Sequence, residues 1–277
     1  MGTPPSGINT KNESMLARLR LATATFLAAM RLTALSTVAY RLTLFLSLLS
    51  WVVPLAFMAL WSNAAAGSGV MTTQQTTTYY LVLFVTSNLA IGGYLLFGMG
   101  PMVQTGQLAS MLMMPLSPVR TLVAGALSET LIRSVPLVVA VPLLGWALNV
   151  HIEVRYIPAA ALMFMLGWVS AALAAAVYSL LALYFQKGLG IAGLFTGIEW
   201  LLAGMIAPSL FLPQAMQTVM RGSPLWAAGG GMAEVLSGAT TPQWWMFAVP
   251  AAWIVGLSIA WHFGWRKALV RFEAVGL

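Results

Sequence analysis

Long apolar runs, separated by short segments that carry most of the charge, set the pattern of this chain. A hydrocarbon layer about 30 Å thick is crossed by roughly 20 apolar residues in an α-helix. That ruler selects six spans: residues 42–61, 79–99, 121–148, 156–185, 189–212 and 244–265. The third and fourth exceed the required length, so tilt or extension past the bilayer is expected. Pro136 and Pro142 in the third span, and Pro208 in the fifth, remove backbone donors and should kink or end those helices. In the fifth span Gly193 and Gly197 form a small-xxx-small face suited to close helix packing.

Ahead of the first span the pattern is different. From Ser14 onward, Leu16, Leu19, Thr23, Phe26 and Met30 step by three and four, giving one largely apolar face with Arg18 and Arg31 off it. This predicts an amphipathic helix along the inner leaflet; a plain extension of the first span is the alternative. Residues 1–12 hold Pro, Gly and Asn and read as disordered, without the apolar core and cleavage site of a signal peptide. The first outer loop, residues 62–78, is small, polar and uncharged. The third, residues 213–243, holds three prolines, Gly229-Gly230-Gly231 and an apolar stretch at 232–236. Short helices covering the outer end are expected there, because backbone that dips into a membrane must be covered by protein or water.

Composition sharpens this reading. Of 277 residues 60% are hydrophobic and 7% charged, against roughly 25% charged in soluble domains. The pattern excludes a soluble globular domain, a disordered chain and a disulfide scaffold, since Cys is absent. Net charge is +7, and the positions of the cations explain it. Lys11, Arg18, Arg20, Arg31, Arg41, Arg120, Lys187, Arg266, Lys267 and Arg271 fall on one side of the six spans, whereas Arg155 and Arg221 fall on the other. Ten against two places both termini in the cytoplasm by the positive-inside rule, and the charge reports topology and lipid contact rather than nucleic acid.

Candidate chemistry is sparse. All 6 acidic residues are Glu, so Asp-dependent phosphotransfer, Asp ligation of Mg²⁺ and an Asp-based triad are excluded. His151 and His262 stand alone and near opposite faces, without Cys, so no compact zinc or haem motif is present. No P-loop occurs; the nearest fragment, Gln186-Lys187-Gly188-Leu189-Gly190, lacks both spacing and hydroxyl. Three ionisable residues fall within spans, where charge is expensive and function is the default suspicion. Glu129 and Arg133 have the i,i+4 spacing in the favourable order, which fits self-neutralisation or a polar path for a substrate. Glu199 has no local basic partner and should face the protein interior, a subunit interface or water.

The segment linking the second and third spans reads as a short amphipathic helix closed by a Pro-x-x-Pro turn. Gly106, Leu108, Leu112, Pro115, Ser117 and Pro118 there are similar to the G-x-L-x-x-x-L-x-x-P-x-S-P pattern of type-2 ATP-binding-cassette export permeases. Two further segments resemble the same family. Gly204 to Pro208, with Phe211 and Pro213, is similar to the G-x-x-x-P…F-P ending of its fifth span, and residues 265–276 resemble the W-x-x-x-L-x-x-[YF]-E-x-x-G tail of one branch. The order of these motifs around six spans spreads the resemblance over essentially the whole chain.

The resemblance implies an all-α integral membrane protein of the cytoplasmic (inner) membrane. Its parts would be a disordered N-terminus at 1–13, an amphipathic interfacial helix at 14–36, a six-helix permease domain at 37–265 and a cytoplasmic tail at 266–277. It implies a dimer, of identical or related permeases, on two cytosolic ATPase subunits that hold ATP and Mg²⁺. No cofactor, metal or catalytic residue is then expected in this chain. Residues 106–114 would be the coupling helix, and the outer helices would close the pathway. Cargo would pass between protomers, lined by the first, second and fifth spans. A lining with few fixed charges suits an amphipathic or hydrophobic cargo. The competing readings are a membrane-embedded lipid-modifying enzyme and a secondary transporter. The missing Asp and Cys oppose the first; the second lacks a convincing internal repeat and has few intramembrane ionisable groups.

Overall fold

The computed structural model of the chain describes residues 8–39, 51–90, 95, 97–98, 102, 105–113, 118–185 and 188–275. Every regular element among them is helical. Eleven α-helices are described: α1 (Ile8–Ala39), α2 (Val52–Ala65), α3 (Thr73–Leu89), α4 (Gln107–Leu112), α5 (Pro118–Ser134), α6 (Leu137–Ala147), α7 (Ile157–Phe185), α8 (Gly188–Leu202), α9 (Gln214–Arg221), α10 (Met232–Leu236) and α11 (Trp245–Val275). Two 3₁₀ turns, Val154–Tyr156 and Ser209–Phe211, and a π-helical turn, Ala227–Gly231, join them. Among the described residues three helical stretches are long and apolar enough to cross a membrane: Arg20–Ala39, Val154–Leu181 and Trp245–Ala268. The pair α5 and α6, bent by 47°, makes a fourth if taken as one broken span.

Several boundaries differ from the sequence reading, each for a local reason. Helix α1 starts at Ile8, so residues 8–13 are helical where a disordered N-terminus was expected; residues 1–7 lie outside the described residues, as do 42–50 of the first span. Helix α3 starts at Thr73 rather than Tyr79, because Thr72 and Gln75 form a reciprocal capping box that holds a polar first turn. The expected single third span is two helices. Pro136 cannot donate to the ladder, and the helix breaks between Ser134 and Leu137.

Helix α6 ends in a Schellman arrangement. Asn149 takes a left-handed φ of 49°, its N–H donates to the Trp146 carbonyl, and the Val150 N–H donates to Gly145. The fifth apolar run is helical only to Leu202. Gly204 then adopts φ +82°, and a Cβ there would lie 2.5 Å from the Tyr79 hydroxyl oxygen, so the turn requires glycine. Helix α11 continues past the predicted Trp265 to Val275, making most of the tail helical.

Packing groups the helices around α7. Helices α8 and α11 lie against it, as does the π-helical turn, while α2 packs on α3 and α1 on α5. The Ser128 hydroxyl of α5 donates to the Met30 carbonyl of α1 at 2.8 Å, fixing that second pairing. At one end the connections are stitched together. Glu153 N–H donates to Leu236 O, Gln75 Nε2 to Gly238 O, and Trp61 Nε1 to Ile206 O. Tyr79 and Tyr80 donate their hydroxyls to the Gly204 and Ile206 carbonyls. Backbone groups freed by the end of α8 thereby find partners from α2 and α3. Helices α9 and α10 with the π-helical turn form the expected group of short helices before the last long one.

Much of the remaining surface is apolar. Val138, Val139 and Trp146 on α6, and Val255, Ile259 and Phe263 on α11, are exposed. So are Leu21, Leu27, Leu32 and Leu35 on α1. Water would oppose exposure on this scale, whereas a hydrocarbon solvent accepts it.

Candidate functional site

A cavity of about 730 Å³ lies among α3, α5, α7 and α8. Its size is in the range of small-molecule sites, about 300–1,000 Å³. Helix α5 contributes Leu122, Ala126, Glu129, Thr130 and Arg133; α7 contributes Phe164, Trp168, Ala171 and Ala172. Helix α8 supplies Thr196, Glu199 and Trp200, and the end of α3 supplies Thr86, Ser87 and Asn88. Ala203, Met205 and Leu225 form further wall with Ala228 and Gly229 of the π-helical turn.

All three ionisable residues singled out within the spans thus line one space. Arg133 and Glu129 form the ion pair that their spacing predicts, with 2.5 Å between Nη2 and Oε1. The pair also lines the cavity. Glu199 is half-buried and, among the described residues, has no ion-pair partner.

The neutral polar lining is largely committed to the scaffold. Thr86 and Ser87 donate their hydroxyls to the Leu83 and Phe84 carbonyls, one turn back along α3. Asn88 donates to the Phe84 carbonyl at 2.7 Å and accepts from Trp51 Nε1 at 3.1 Å. Trp168 donates its indole N–H to the Leu89 carbonyl at 2.7 Å, which closes the end of α3 and fixes the ring in the wall. Binding capacity is left mainly to the Glu199 carboxylate and the aromatic side chains.

The short helix α4 adjoins the same wall. It follows Gly106, whose φ is +71°, and buries Leu108 and Met111 while Leu112 and Met113 are exposed. Leu108 belongs to a hydrophobic cluster with Leu122, Ala126 and Leu225, all three of which line the cavity. Pro118 opens α5 and is buried; Pro115 and Ser117 lie outside the described residues.

A second polar centre was not anticipated from the sequence. Glu234 of α10 is fully buried and accepts two hydrogen bonds from Ser209, one from N–H at 3.1 Å and one from Oγ–H at 2.5 Å. Arg221 Nη2 lies 3.9 Å from its other oxygen. Burial raises the Glu234 pKa to about 7, while the Ser209 hydrogen bonds and Arg221 oppose that rise. The signal was present: a single acid in Met232–Leu236, an otherwise apolar stretch.

Among the described residues no three His, Cys, Asp or Glu side chains converge as a metal site. His151 contributes its backbone carbonyl, which accepts from Thr78 Oγ1 at 3.1 Å. The arrangement is a lined space beside a short, half-buried helix, with its ionisable side chains in the lining. The chain matches no protein-family model and no curated protein.

Proposed function

We propose that the chain is the membrane-spanning permease subunit of an ATP-binding-cassette exporter, moving an amphipathic or hydrophobic cargo with ATP hydrolysed by a separate cytosolic subunit. One observation carries this reading: Leu108 of α4 shares a hydrophobic cluster with Leu122, Ala126 and Leu225 of the cavity wall. A push on α4 is transmitted to that wall because close-packed side chains shift together rather than compress. The exposed Leu112 and Met113 supply the surface on which an ATPase subunit would act.

The six spans and both cytoplasmic termini belong to this proposal. They are supported by the distribution of Lys and Arg and by the long apolar helices. The exposed leucines of α1 support its placement in the inner leaflet. Gly193 and Gly197 support the dimer, since a Cβ at either would meet nothing within 4 Å in this chain. The resemblance to type-2 export permeases supplies the direction of transport.

The test is recovery from native membranes. Co-purification of a cytosolic P-loop ATPase, whose turnover changes in Leu112→Asp, is the expected result. Recovery of a lone active enzyme overturns it. The cavity carboxylates also suit an ion-driven carrier; transport by the isolated chain that collapses with an ionophore and ignores ATP would favour that reading instead.

A further inference from the structure

Resting on the transport reading, we infer that the cavity selects a monocationic amphiphile: an apolar body bearing one amine or onium group. Its fixed charges among the described residues are Glu129, Arg133 and Glu199. Arg133 is already committed to Glu129 at 2.5 Å, so that pair sums to zero and offers an anionic cargo no free cation. Glu199, when ionised, then leaves the lining one negative charge away from neutrality. A carboxylate in low-dielectric surroundings is relieved either by taking up a proton or by a cation held against it, and a cationic cargo supplies the second. A neutral cargo relieves nothing, and an anionic cargo adds repulsion.

The aromatic lining favours the same charge. Trp168 on α7 and Trp200 on α8 both line the cavity, and the Trp168 ring is held by its hydrogen bond to Leu89 O. Indole faces attract organic cations and accept apolar groups equally well. Phe164, Ala171 and Leu225 extend the apolar wall to receive the body of the molecule. With about 730 Å³ available, the site accommodates one drug-sized molecule. Glu199 is the specificity-determining residue of this arrangement, and the Glu129–Arg133 pair adds no net charge to it.

The test uses two ions of nearly the same shape and opposite sign, tetraphenylphosphonium and tetraphenylborate. The full chain in phosphatidylcholine nanodiscs is dialysed against each, with binding to empty nanodiscs subtracted. Saturable binding of the phosphonium, weakened about tenfold or more in Glu199→Gln, is the expected result. Arg133→Gln, which frees the Glu129 charge, should tighten it. A melting curve shows whether each variant is folded, and Arg133→Gln keeps the inference testable if Glu199→Gln is not. Equal affinity for the borate, unchanged phosphonium binding in folded Glu199→Gln, or weaker binding in folded Arg133→Gln overturns the cation inference. Those outcomes leave the permease reading standing if an ATPase co-purifies, and the absence of an ATPase rejects that reading whatever the dialysis shows.

Discussion

Ser209 directs both its backbone N–H and its hydroxyl at one carboxylate oxygen of Glu234, 25 residues further along the chain. The bonds tie the 3₁₀ turn beyond the end of α8 to α10, so the break in the fifth apolar run is bolted to the short helices beyond it. The other oxygen receives no hydrogen bond from the described residues, and the nearest guanidinium nitrogen of Arg221 is 3.9 Å away. One half of the carboxyl group is therefore satisfied, and the other depends on its protonation state.

That dependence has a sign. With a pKa of about 7 in the fold, raised chiefly by burial, Glu234 keeps a proton that the unfolded chain loses near 4.5. Between those values the native state binds more protons, so stability falls as pH rises. The contribution is fully present below about pH 4.5 and is lost through about pH 7; it amounts to about 3 kcal/mol at most. Glu234→Gln keeps an acceptor for Ser209 and cannot ionise. Thermal melting in nanodiscs should show a decline from pH 5 to 8 in the native chain and a flatter profile in Glu234→Gln. Parallel profiles would refute the assignment.

Gly167 on α7 tests the seat of the π-helical turn. A Cβ there would lie 2.3 Å from the Ala228 nitrogen and 2.9 Å from the Ala227 carbonyl carbon, and both atoms are backbone that cannot rotate away. Gly167→Ala should destabilise the chain by about 1–3 kcal/mol. It should also displace Ala228 and Gly229 in the cavity wall, altering ligand binding as well as the melting temperature. Unchanged melting would refute the role of Gly167 as the seat of this turn.

Gly193 and Gly197 give the opposite prediction. Both are exposed, with Leu194 and Ile198 exposed beside them, and an added side chain meets nothing in this chain. Gly197→Leu should leave the fold intact while pushing apart any second copy packed on that stripe. Light scattering in detergent is expected to give a dimer for the native chain and a monomer for the variant. A native monomer, or a dimer that survives the leucine, would move the dimer contact elsewhere.

Apolar run length located the helices but not their ends. Residues 156–185 fold almost as their apolar run predicts, because the segment carries no charge and its one proline, Pro158, sits in the first helical turn where no backbone donor is needed. The start of α3 was misplaced since its first turn is Thr73, Gln74 and Gln75, polar residues that a hydropathy ruler discards although the capping box is written in them. The end of α8 was misplaced because apolarity persists through Met205 and Ile206 while the backbone turns at Gly204. In the cavity, the Glu129–Arg133 contact followed from helical spacing. Its meeting with Glu199 depends on how α5, α7 and α8 pack, which periodicity along one helix does not encode. Glu234 was passed over for a related reason: its partner Ser209 lies in a different turn, and no local pattern joins them.

Helix α4 provides the sharpest test of the transport reading, because its two leucines are not equivalent. Leu108 is fully buried in the cluster that includes the cavity wall, whereas Leu112 is 39% exposed and Met113 is 89% exposed. Leu108→Asp would bury a charge and dismantle the seat of α4. Even Leu108→Ala should cost about 2–5 kcal/mol, so neither variant separates lost coupling from lost structure. Leu112→Asp and Met113→Asp place the charge on the open face and should leave melting within about 0.5 kcal/mol of native. In membranes holding the co-purified ATPase, both should weaken its association or uncouple ATP turnover from transport. Phosphonium binding in the cavity should remain unchanged, because neither residue lines it. Native ATPase association and coupled transport in both folded variants would remove α4 from the coupling path.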